Sequence, residues 1–513
     1  MTFNDQGEHS FHVGPPEDDA TPPSRGSMKW IGAAAAVVLV VALSVGGVAI
    51  AKVMGGGGAQ PEDVLPNSAI AFAKLDLNPS AGQKLAAFRL ASRFPTVKGN
   101  VTSQDTSIKE SLFGSIFTGN ASWGLDYKKD VEPWLGDRIG VGVFPDMGGD
   151  KKPEVALAIA FTDRSAAQAS LDKAIAHGGN KVETVGYAFA DGYVIVSDTA
   201  AHATALVSAG KVSPLALPAW STYGDDVRSL GSDQIGVAWV DVAASYKLLP
   251  QDQLLNSPLG QLKGTRDPKN ASGRLVIGLH ADPSYLELTG KAIDLKGAGS
   301  LTRDGVVNQA GLMATFPSDV FGAATATGLG KAAGGLYTGL VSGSDTMGVR
   351  SMLSAMGIDS AKEVETLLGS ETGVAVGGTI DQPEYAVRTR SDDPDTAYGL
   401  ARKVLDTAKN DIQGITVTKV TGPDGIVVGK GSGLIAAITS ASGGKLGSSD
   451  SFRQVVPDLG RANFAAYVNL AELMPLLAKD NPKDAASLKP LNALGLTAIG
   501  GVEPTVRLRL SFR

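Results

Sequence analysis

After about residue 60, apolar and polar residues follow two periodicities, and each predicts one kind of element. In residues 154–161, a large apolar side chain at every second position alternates with alanine, which predicts a strand with one small-residue face. From Ala167 onward, apolar residues recur at i, i+4, i+7 and i+8, which predicts an amphipathic helix. Asp163 stands where the N-cap of that helix is expected.

The same patterns return in the second half of the chain. An LGxxxG motif at 135–140 recurs at 368–373, an offset of 233 positions. The helical pattern returns after Asp393, 230 positions beyond Asp163, with Pro394 at the first helical position. Repetition at nearly constant offsets indicates an internal duplication.

We place the first copy at residues 62–300 and the second at 308–513. Short strands separated by turn dipeptides, with helices between them, predict an α+β unit with a mostly antiparallel sheet in each copy. The turn dipeptides are Asp191-Gly192, Asp424-Gly425, Asp282-Pro283 and Glu503-Pro504. The predicted fold class is therefore α+β, with two tandem duplicated units after an N-terminal transmembrane helix.

That transmembrane helix is predicted at residues 29–53. Residues 30–51 contain no charge, and 22 residues are enough to cross a hydrocarbon layer of roughly 30 Å. Ala49-Ile50-Ala51 imitates a signal-peptidase site, but the apolar stretch is longer than a secretory signal requires. Arg25 and Lys29 before the helix outnumber Lys52 after it, which favours a cytoplasmic N-terminus and an extracytoplasmic C-terminal region.

The segments on either side of this helix differ in composition. Residues 1–28 are rich in proline and acidic side chains and nearly lack apolar ones, which predicts a disordered cytoplasmic tail. Residues 54–61 begin with four glycines and are predicted to form a flexible linker.

Composition excludes several function classes. The formal net charge is −6 and no basic stripe is present, so the sequence does not predict nucleic-acid binding. The absence of cysteine excludes disulfides, thiolate catalysis and cysteine-ligated zinc.

Short motifs give no catalytic constellation. Ser170-x-x-Lys173 and Ser442-x-x-Lys445 match the S-x-x-K pattern of acyl-transfer enzymes, but its S-D-N and K-T-G partners do not occur. Residues 425–430 are one position short of a phosphate-binding loop. The histidines have no metal-ligand spacing, and we assign no catalytic, cofactor-binding or metal-binding residue.

Three polar residues end similar strands: Asp76, Asp241 and Asn469. A general acid or base would need a carboxylate in a working copy, whereas a cap of the following helix accepts Asp and Asn alike. The repetition favours the capping interpretation.

The segment from Leu65 to Leu85, which begins Leu65-Pro66-Asn67-Ser68-Ala69, resembles the start of a bacterial envelope family catalogued as domain of unknown function 3352. The likeness extends through Trp134-Leu135-Gly136-Asp137. The resemblance implies the layout of a tail, one membrane anchor and a large outer region. It implies no catalytic or ligand-binding residue.

These observations favour a non-enzymatic protein of the cell envelope, held in the membrane by one helix. Its outer region is expected to bind or scaffold an envelope protein, a lipid or a wall polymer. One alternative is an envelope hydrolase with a carboxylate site, for which Asp137, Asp241 and Glu154 are the first candidates. Another is a transmembrane sensor that uses the acidic tail.

Overall fold

The computed structural model describes residues 58–94, 124–146, 153–178, 185–216, 222–231, 233–248, 272–296, 310–342, 347–379, 381–408, 414–420, 425–440, 444–480 and 482–513. The predicted tail at 1–28 and the predicted membrane span at 29–53 lie outside these ranges, as does most of the linker at 54–61. Among the helices within the ranges, none is long and apolar enough to cross a membrane.

The first half of the described chain contains eight strands and six helices. The strands are β1 Ala71–Asp76, β2 Leu135–Phe144, β3 Glu154–Phe161, β4 Gly186–Ala190, β5 Tyr193–Ser197, β6 Gly236–Asp241, β7 Ser272–Ala281 and β8 Tyr285–Lys296. The helices are α1 Pro61–Val64, α2 Ala81–Ala91, α3 Arg164–Gly178, α4 Ala200–Val212, α5 Thr222–Ser229 and α6 Val242–Leu248, and one π-helical turn spans Tyr127–Val131.

The second half contains eight more strands. They are β9 Gly322–Thr327, β10 Glu371–Gly378, β11 Pro383–Arg390, β12 Ile415–Lys419, β13 Ile426–Lys430, β14 Phe464–Asn469, β15 Leu491–Ile499 and β16 Thr505–Phe512. Its helices are α7 Leu329–Ser342, α8 Met347–Ala355, α9 Ala361–Leu368, α10 Pro394–Ala408, α11 Ser432–Ser440, α12 Asp450–Val455, α13 Leu470–Asp480 and α14 Pro482–Leu488. Three 3₁₀ turns span Leu312–Thr315, Leu446–Ser448 and Leu459–Arg461.

All sixteen strands join in one sheet, in the order β12-β13-β11-β10-β9-β14-β15-β16-β8-β7-β6-β1-β2-β3-β5-β4. Every pairing between neighbouring strands is antiparallel. Read outward from the centre, the two halves have the same order of strands. The α+β class and the antiparallel pairing agree with the sequence prediction.

The predicted fold class was nevertheless wrong, because it placed a transmembrane helix before two units with a sheet each. The described helices include no membrane span, and the two sets of strands share one sheet. The two halves are joined through the final strand of each. Without a partner, β8 and β16 would each expose a row of unpaired backbone N–H and C=O groups. They satisfy these groups by pairing with each other.

The seam between the halves is close to two-fold symmetric. Leu508 pairs with Leu288 near the middle of the seam, with Thr505 opposite Lys291 and Ser511 opposite Tyr285 on either side. Such a pairing uses the same strand from both partners, as an isologous dimer does.

Most of the predicted caps are present. Asp163 accepts hydrogen bonds from the backbone of Ser165 and Ala166 at the start of α3, and Asp393 accepts one from Thr396 in α10. Asp241 caps α6 through Ala244, and Asn469 caps α13 through Glu472. The predicted capping role of Asp76 was wrong. Its carboxylate binds Arg138 and the backbone of Asn78, and α2 begins after Ser80.

Two faces of the sheet differ in chemistry. The face that we call the charged face carries Lys74, Arg138 and Arg388, and it also holds two hydrophobic clusters, one around Phe72 and one around Phe316. The opposite side is called the apolar face. It carries Leu75 and Ile159 in the first half and Val374 in the second.

Candidate binding surface

One cross-strand row on the apolar face crosses all sixteen strands without a polar side chain. Because residues directly opposite each other in a ladder point to the same side of a sheet, the pairing register defines this row, which we call the central row. From β4 to β12 its members are Phe189, Val194, Ile159, Ile139, Leu75, Gly236, Leu279, Leu288, Leu508, Leu496, Ala466, Ala324, Val374, Val387, Val428 and Val417.

In the first half, most of the central row is buried, and Phe189, Gly236 and Leu288 are half-buried. Leu75, Ile139 and Ile159 belong to a hydrophobic cluster with α2, α3 and the π-helical turn. Trp134 fills the middle of this cluster at 0% exposure, and its indole N–H donates to the carbonyl oxygen of Asp130 at 2.6 Å. The first half therefore covers its apolar face with its own helices.

In the second half, Val374 is exposed and the other members of the row are half-buried. Val374 is 41% exposed, and its neighbours Val376 and Tyr385 on the same face are 38% and 42% exposed. The cluster that joins this face to α10 has only Ala397, Ala401 and Ile426 as its buried members. Exposed apolar side chains on adjacent strands form a contiguous patch, which is typical of an interaction site.

Helices border this patch without filling it. α13 begins at Leu470, next to the end of β14, and its Lys479 pairs with Asp381 in the β10–β11 turn, with 3.1 Å between Nζ and Oδ1. The helix therefore follows the edge of β14, β9 and β10. Beyond the other end of these strands, α10 packs on β12 and β13, and α9 packs on α10.

A second cross-strand row, the outer row, runs beside the central row near α13. From β13 to β15 its members are Lys430, Tyr385, Val376, Gly322, Val468 and Leu494. Lys430 is exposed, and its ammonium makes no ion pair with a described carboxylate, whereas nearby Lys419 pairs with Asp395. The outer row thus has one cation next to exposed Tyr385, with apolar side chains on β10 to β15 on one side and half-buried Ile415 of β12 on the other.

The charged face holds a network around the point where the chain enters the first half. The Lys74 ammonium binds Glu62 and, at 3.2 Å, the amide oxygen of Gln60. The amide nitrogen of Gln60 donates to Asp76 at 3.2 Å, and Arg138 Nε donates to the same carboxylate oxygen at 2.9 Å. Burial acts to lower the pKa of Arg138, but the hydrogen bond that it donates to Asp76 and the negative charge of that carboxylate raise the pKa overall. These contacts fasten residues 60–62 to the sheet, and the second carboxylate oxygen of Glu62 is buried there without a hydrogen-bond partner among the described residues.

The second half has a matching network with different residues. Buried Glu371 accepts hydrogen bonds from the backbone of Gly311 at 2.6 Å and Leu312 at 2.8 Å, from Thr325 at 2.8 Å and from Arg390 at 2.7 Å. This network fastens the entry segment of the second half. Both networks have internal partners for the charges they contain, so we interpret them as structural.

The carboxylates considered for a hydrolase lie apart. Asp137 is near the start of β2, whereas Glu154 pairs with Phe144 at the other end of that strand, seven residues away, or about 23 Å. Asp241 lies on β6, three strands away from β3 and so roughly 14 Å from Glu154. No two of these side chains share one site.

The other motifs also fall in structural positions. Ser170 is buried within α3, while Lys173 of the same motif pairs with Asp130 at the surface. Ser442 lies outside the described residues. Residues 425–430 form the start and body of β13, so they build a hairpin arm. Among the described side chains, no group of His, Asp and Glu could hold a metal ion.

One histidine, His202, lies close to two carboxylates. His202 Nδ1 lies 2.6 Å from Asp198, and its Nε2 lies 3.8 Å from buried Glu154. In the second half the equivalent glutamate, Glu384, accepts the backbone N–H of Leu434 at 2.5 Å at the start of α11. Both arrangements tie the helix after the hairpin to the sheet.

Sequence reasoning missed the open patch. Val374 and Val376 come directly after the repeated motif at 368–373, and Lys430 ends the stretch at 425–430. Alternation in β10 and β11 places Val374, Val376, Tyr385 and Val387 on one face, but it does not indicate whether helices cover that face.

Comparison with known proteins supports the family resemblance over part of the chain. Residues 32–212 match the family described as "Protein of unknown function (DUF3352)". No curated protein matches the chain. The match says nothing about location, ligand or activity.

Proposed function

We propose that this chain is a non-enzymatic binding protein whose open apolar face holds the acyl chain of a lipid. The observation that carries the proposal is the exposure of Val374, Val376 and Tyr385 in two cross-strand rows that offer no hydrogen-bonding side chain between β11 and β15 except the tyrosine hydroxyl.

The chemistry of the patch favours an acyl chain over the other ligands considered. A wall polymer is rich in hydroxyl and amide groups, and burying these without partners costs free energy. A protein partner usually meets about one hydrogen bond per 100–200 Å² of interface, with Trp, Tyr and Arg among the central residues. The patch has one such residue, Tyr385, and the aliphatic residues around Val374 and Val376 offer no hydrogen bond, which suits a hydrocarbon.

The twist of the sheet favours a single lipid molecule over a membrane surface. Neighbouring strands rotate by about 20° each, so sixteen strands accumulate roughly 300° of twist. A surface with that twist presents only a few adjacent strands to any plane. An acyl chain can follow the rows that cross β10 and β11, where the exposed side chains lie, and each buried methylene contributes about 0.8 kcal/mol.

Photocrosslinking in intact cells tests the proposal. We would place a photoreactive amino acid at Val376 in the full chain, with the same amino acid at Val502, a 90% exposed valine in the β15–β16 turn, as the matched control. We expect a lipid adduct at Val376 and none at Val502. A protein adduct at Val376, or lipid adducts of equal yield at both positions, would overturn the proposal.

The remaining sequence predictions keep their status as predictions. A location in the cell envelope is consistent with a lipid ligand and is tested by protease accessibility of the C-terminal region in intact cells. A hydrolase has no assembled carboxylate site among the described residues. A sensor would require an effect of deleting residues 2–24.

A further inference from the structure

We propose that Lys430 binds an anionic headgroup and that the acyl chain extends from it along the outer row towards β15. This inference rests on the proposed function and adds a ligand class and an orientation to it. The ligand is an acyl lipid whose headgroup carries net negative charge, bound as a single molecule.

The pairing register places the charge beside the exposed apolar positions, and beyond Lys430 the row continues on β12 with half-buried Ile415. Lys430 lies opposite Tyr385, which lies opposite Val376, which lies opposite Gly322. Beyond Gly322 the row continues with Val468 and Leu494. From β13 to β15 the row spans five strand intervals, or about 24 Å, which is longer than the ~15 Å of one leaflet of a bilayer's hydrocarbon core.

A glycine in the row lowers the surface where the chain would pass. Gly322 lies between Val376 and Val468, so the floor has no side chain there. The exposed side chains Tyr385 and Val376 stand on the headgroup side of this position. The ring of Tyr385 lies between the lysine and the aliphatic residues, an amphipathic position that suits the junction of headgroup and chain.

The charge of Lys430 determines the orientation of the lipid along the outer row. Its ammonium has no carboxylate partner among the described residues, and it borders a surface that would become water-free when an acyl chain binds. A cation beside such a surface is stabilised by an anion, and a hydrogen bond to a charged group contributes more than one between neutral groups. A zwitterionic headgroup also carries a positively charged group, and Lys430 would repel that group.

The first half offers a natural contrast. In the strand register, the position that corresponds to Lys430 is Asp198, one residue beyond β5, and its carboxylate lies 2.6 Å from His202. An anion would be repelled at that position, and the corresponding row of Val155, Val143 and Ala71 is half-buried. The first half therefore lacks the cation that the proposed site requires at this position.

The experiment measures displacement of a fluorescent fatty-acid probe from the full chain by two lysophospholipids with the same acyl chain. Lysophosphatidylglycerol carries one net negative charge, and lysophosphatidylcholine carries none. Both are used below their critical micelle concentrations, so that partition into aggregates does not contribute. The variants are Lys430→Gln, with Lys445→Gln as the matched control, and Val374→Asp, with Val502→Asp as its control. Lys445 is exposed, and the adjacent Leu446 packs in the cluster on the charged face.

We expect the parent to prefer the anionic lipid, and Lys430→Gln to weaken that lipid about tenfold while leaving the choline lipid unchanged. Lys445→Gln should change neither. If Val374→Asp abolishes binding of both lipids but Lys430→Gln alters neither, the headgroup inference is overturned and the proposed function stands. If neither lipid displaces the probe from the parent, both fall.

Discussion

The two halves of the sheet carry the same order of strands, but they treat their apolar face differently. In the first half, Trp134 is completely buried under helices and Val141 is half-buried. In the second half, the matching positions are Leu367, which is half-buried, and Val374, which is 41% exposed. The sheet itself does not explain the difference, because the pairing pattern is shared. The helices cover this face more completely in the first half.

One substitution accounts for part of this coverage. Trp134 stands directly before the LGxxxG motif of the first half, and Leu367 occupies that position in the second. The indole fills the space between α3 and the sheet, whereas Leu367 is only partly buried against a small cluster. Two copies of one unit can therefore keep the same sheet while one copy lacks the large side chain that packs between helices and sheet. The face of the sheet that is left uncovered is then available to a ligand.

The largest expected effect concerns the charged face, where the halves differ in how they anchor a central aromatic residue. In the first half, buried Asp226 accepts the indole N–H of Trp239 at 2.7 Å and Arg274 Nε at 2.6 Å. The hydrogen bond that Arg274 donates to Asp226 is the main cause that raises the pKa of Arg274. Asp226→Ala leaves both donors without this partner, and we expect a loss of about 3 kcal/mol in the free energy of unfolding, measured with urea.

The matched change in the second half should cost less. There Tyr467 Oη lies 2.9 Å from Ser451 Oγ, and no charge takes part. Ser451→Ala removes one neutral hydrogen bond, so we expect a loss of about 1 kcal/mol. Equal losses of unfolding free energy for the two variants would show that Trp239 and Tyr467 are anchored equally strongly. The two halves would then not differ in this respect.

A smaller effect is expected from making the first half resemble the second. Trp134→Leu introduces the residue of the open half at a site with 0% exposure, and we expect a loss of about 2–3 kcal/mol together with new binding of an apolar fluorescent dye. The comparison variant is Val374→Ala, which removes a side chain that is already 41% exposed and should cost under about 0.5 kcal/mol. If Trp134→Leu binds no more dye than the parent, the indole is not what closes the first half.

Local elements were predictable because their signals are local. Asp191-Gly192 forms the two-residue turn between Ala190 and Tyr193, as glycine at φ 74° allows. The alternation in β3 and the capping of α3 by Asp163 also follow from short stretches of sequence. Such features depend on backbone geometry that neighbouring residues dictate.

The joining of the halves and the open patch were not predictable in the same way. The pairing of β8 with β16 uses backbone groups about 220 residues apart, and backbone groups have no signature in the sequence. Val374 and Val376 have the same pattern as Val141 and Val143 in the first half, which are half-buried. Their exposure depends on how completely distant helices cover them, and that is decided by tertiary packing.

The smallest expected effect concerns a feature that the halves share, the aspartate cap of α3 and α10. In the second half, hydrogen bonds from the side chain and backbone of Thr396 hold the pKa of Asp393 below its ordinary value of 3.8. Because the pKa of Asp393 is lower in the folded state, the carboxylate stabilises the fold at pH values above the pKa of the unfolded state. That contribution is lost as the pH falls through the pKa of the folded state.

Asp393→Asn does not titrate, so we expect it to be less stable than the parent at about pH 6, with the difference shrinking below about pH 3.5. Thr396→Val should move this change to higher pH, because the largest cause of the lowered pKa is removed. Urea unfolding at several pH values measures both, and a difference between parent and Asp393→Asn that stays constant down to pH ~3 would contradict the role of the ionised cap.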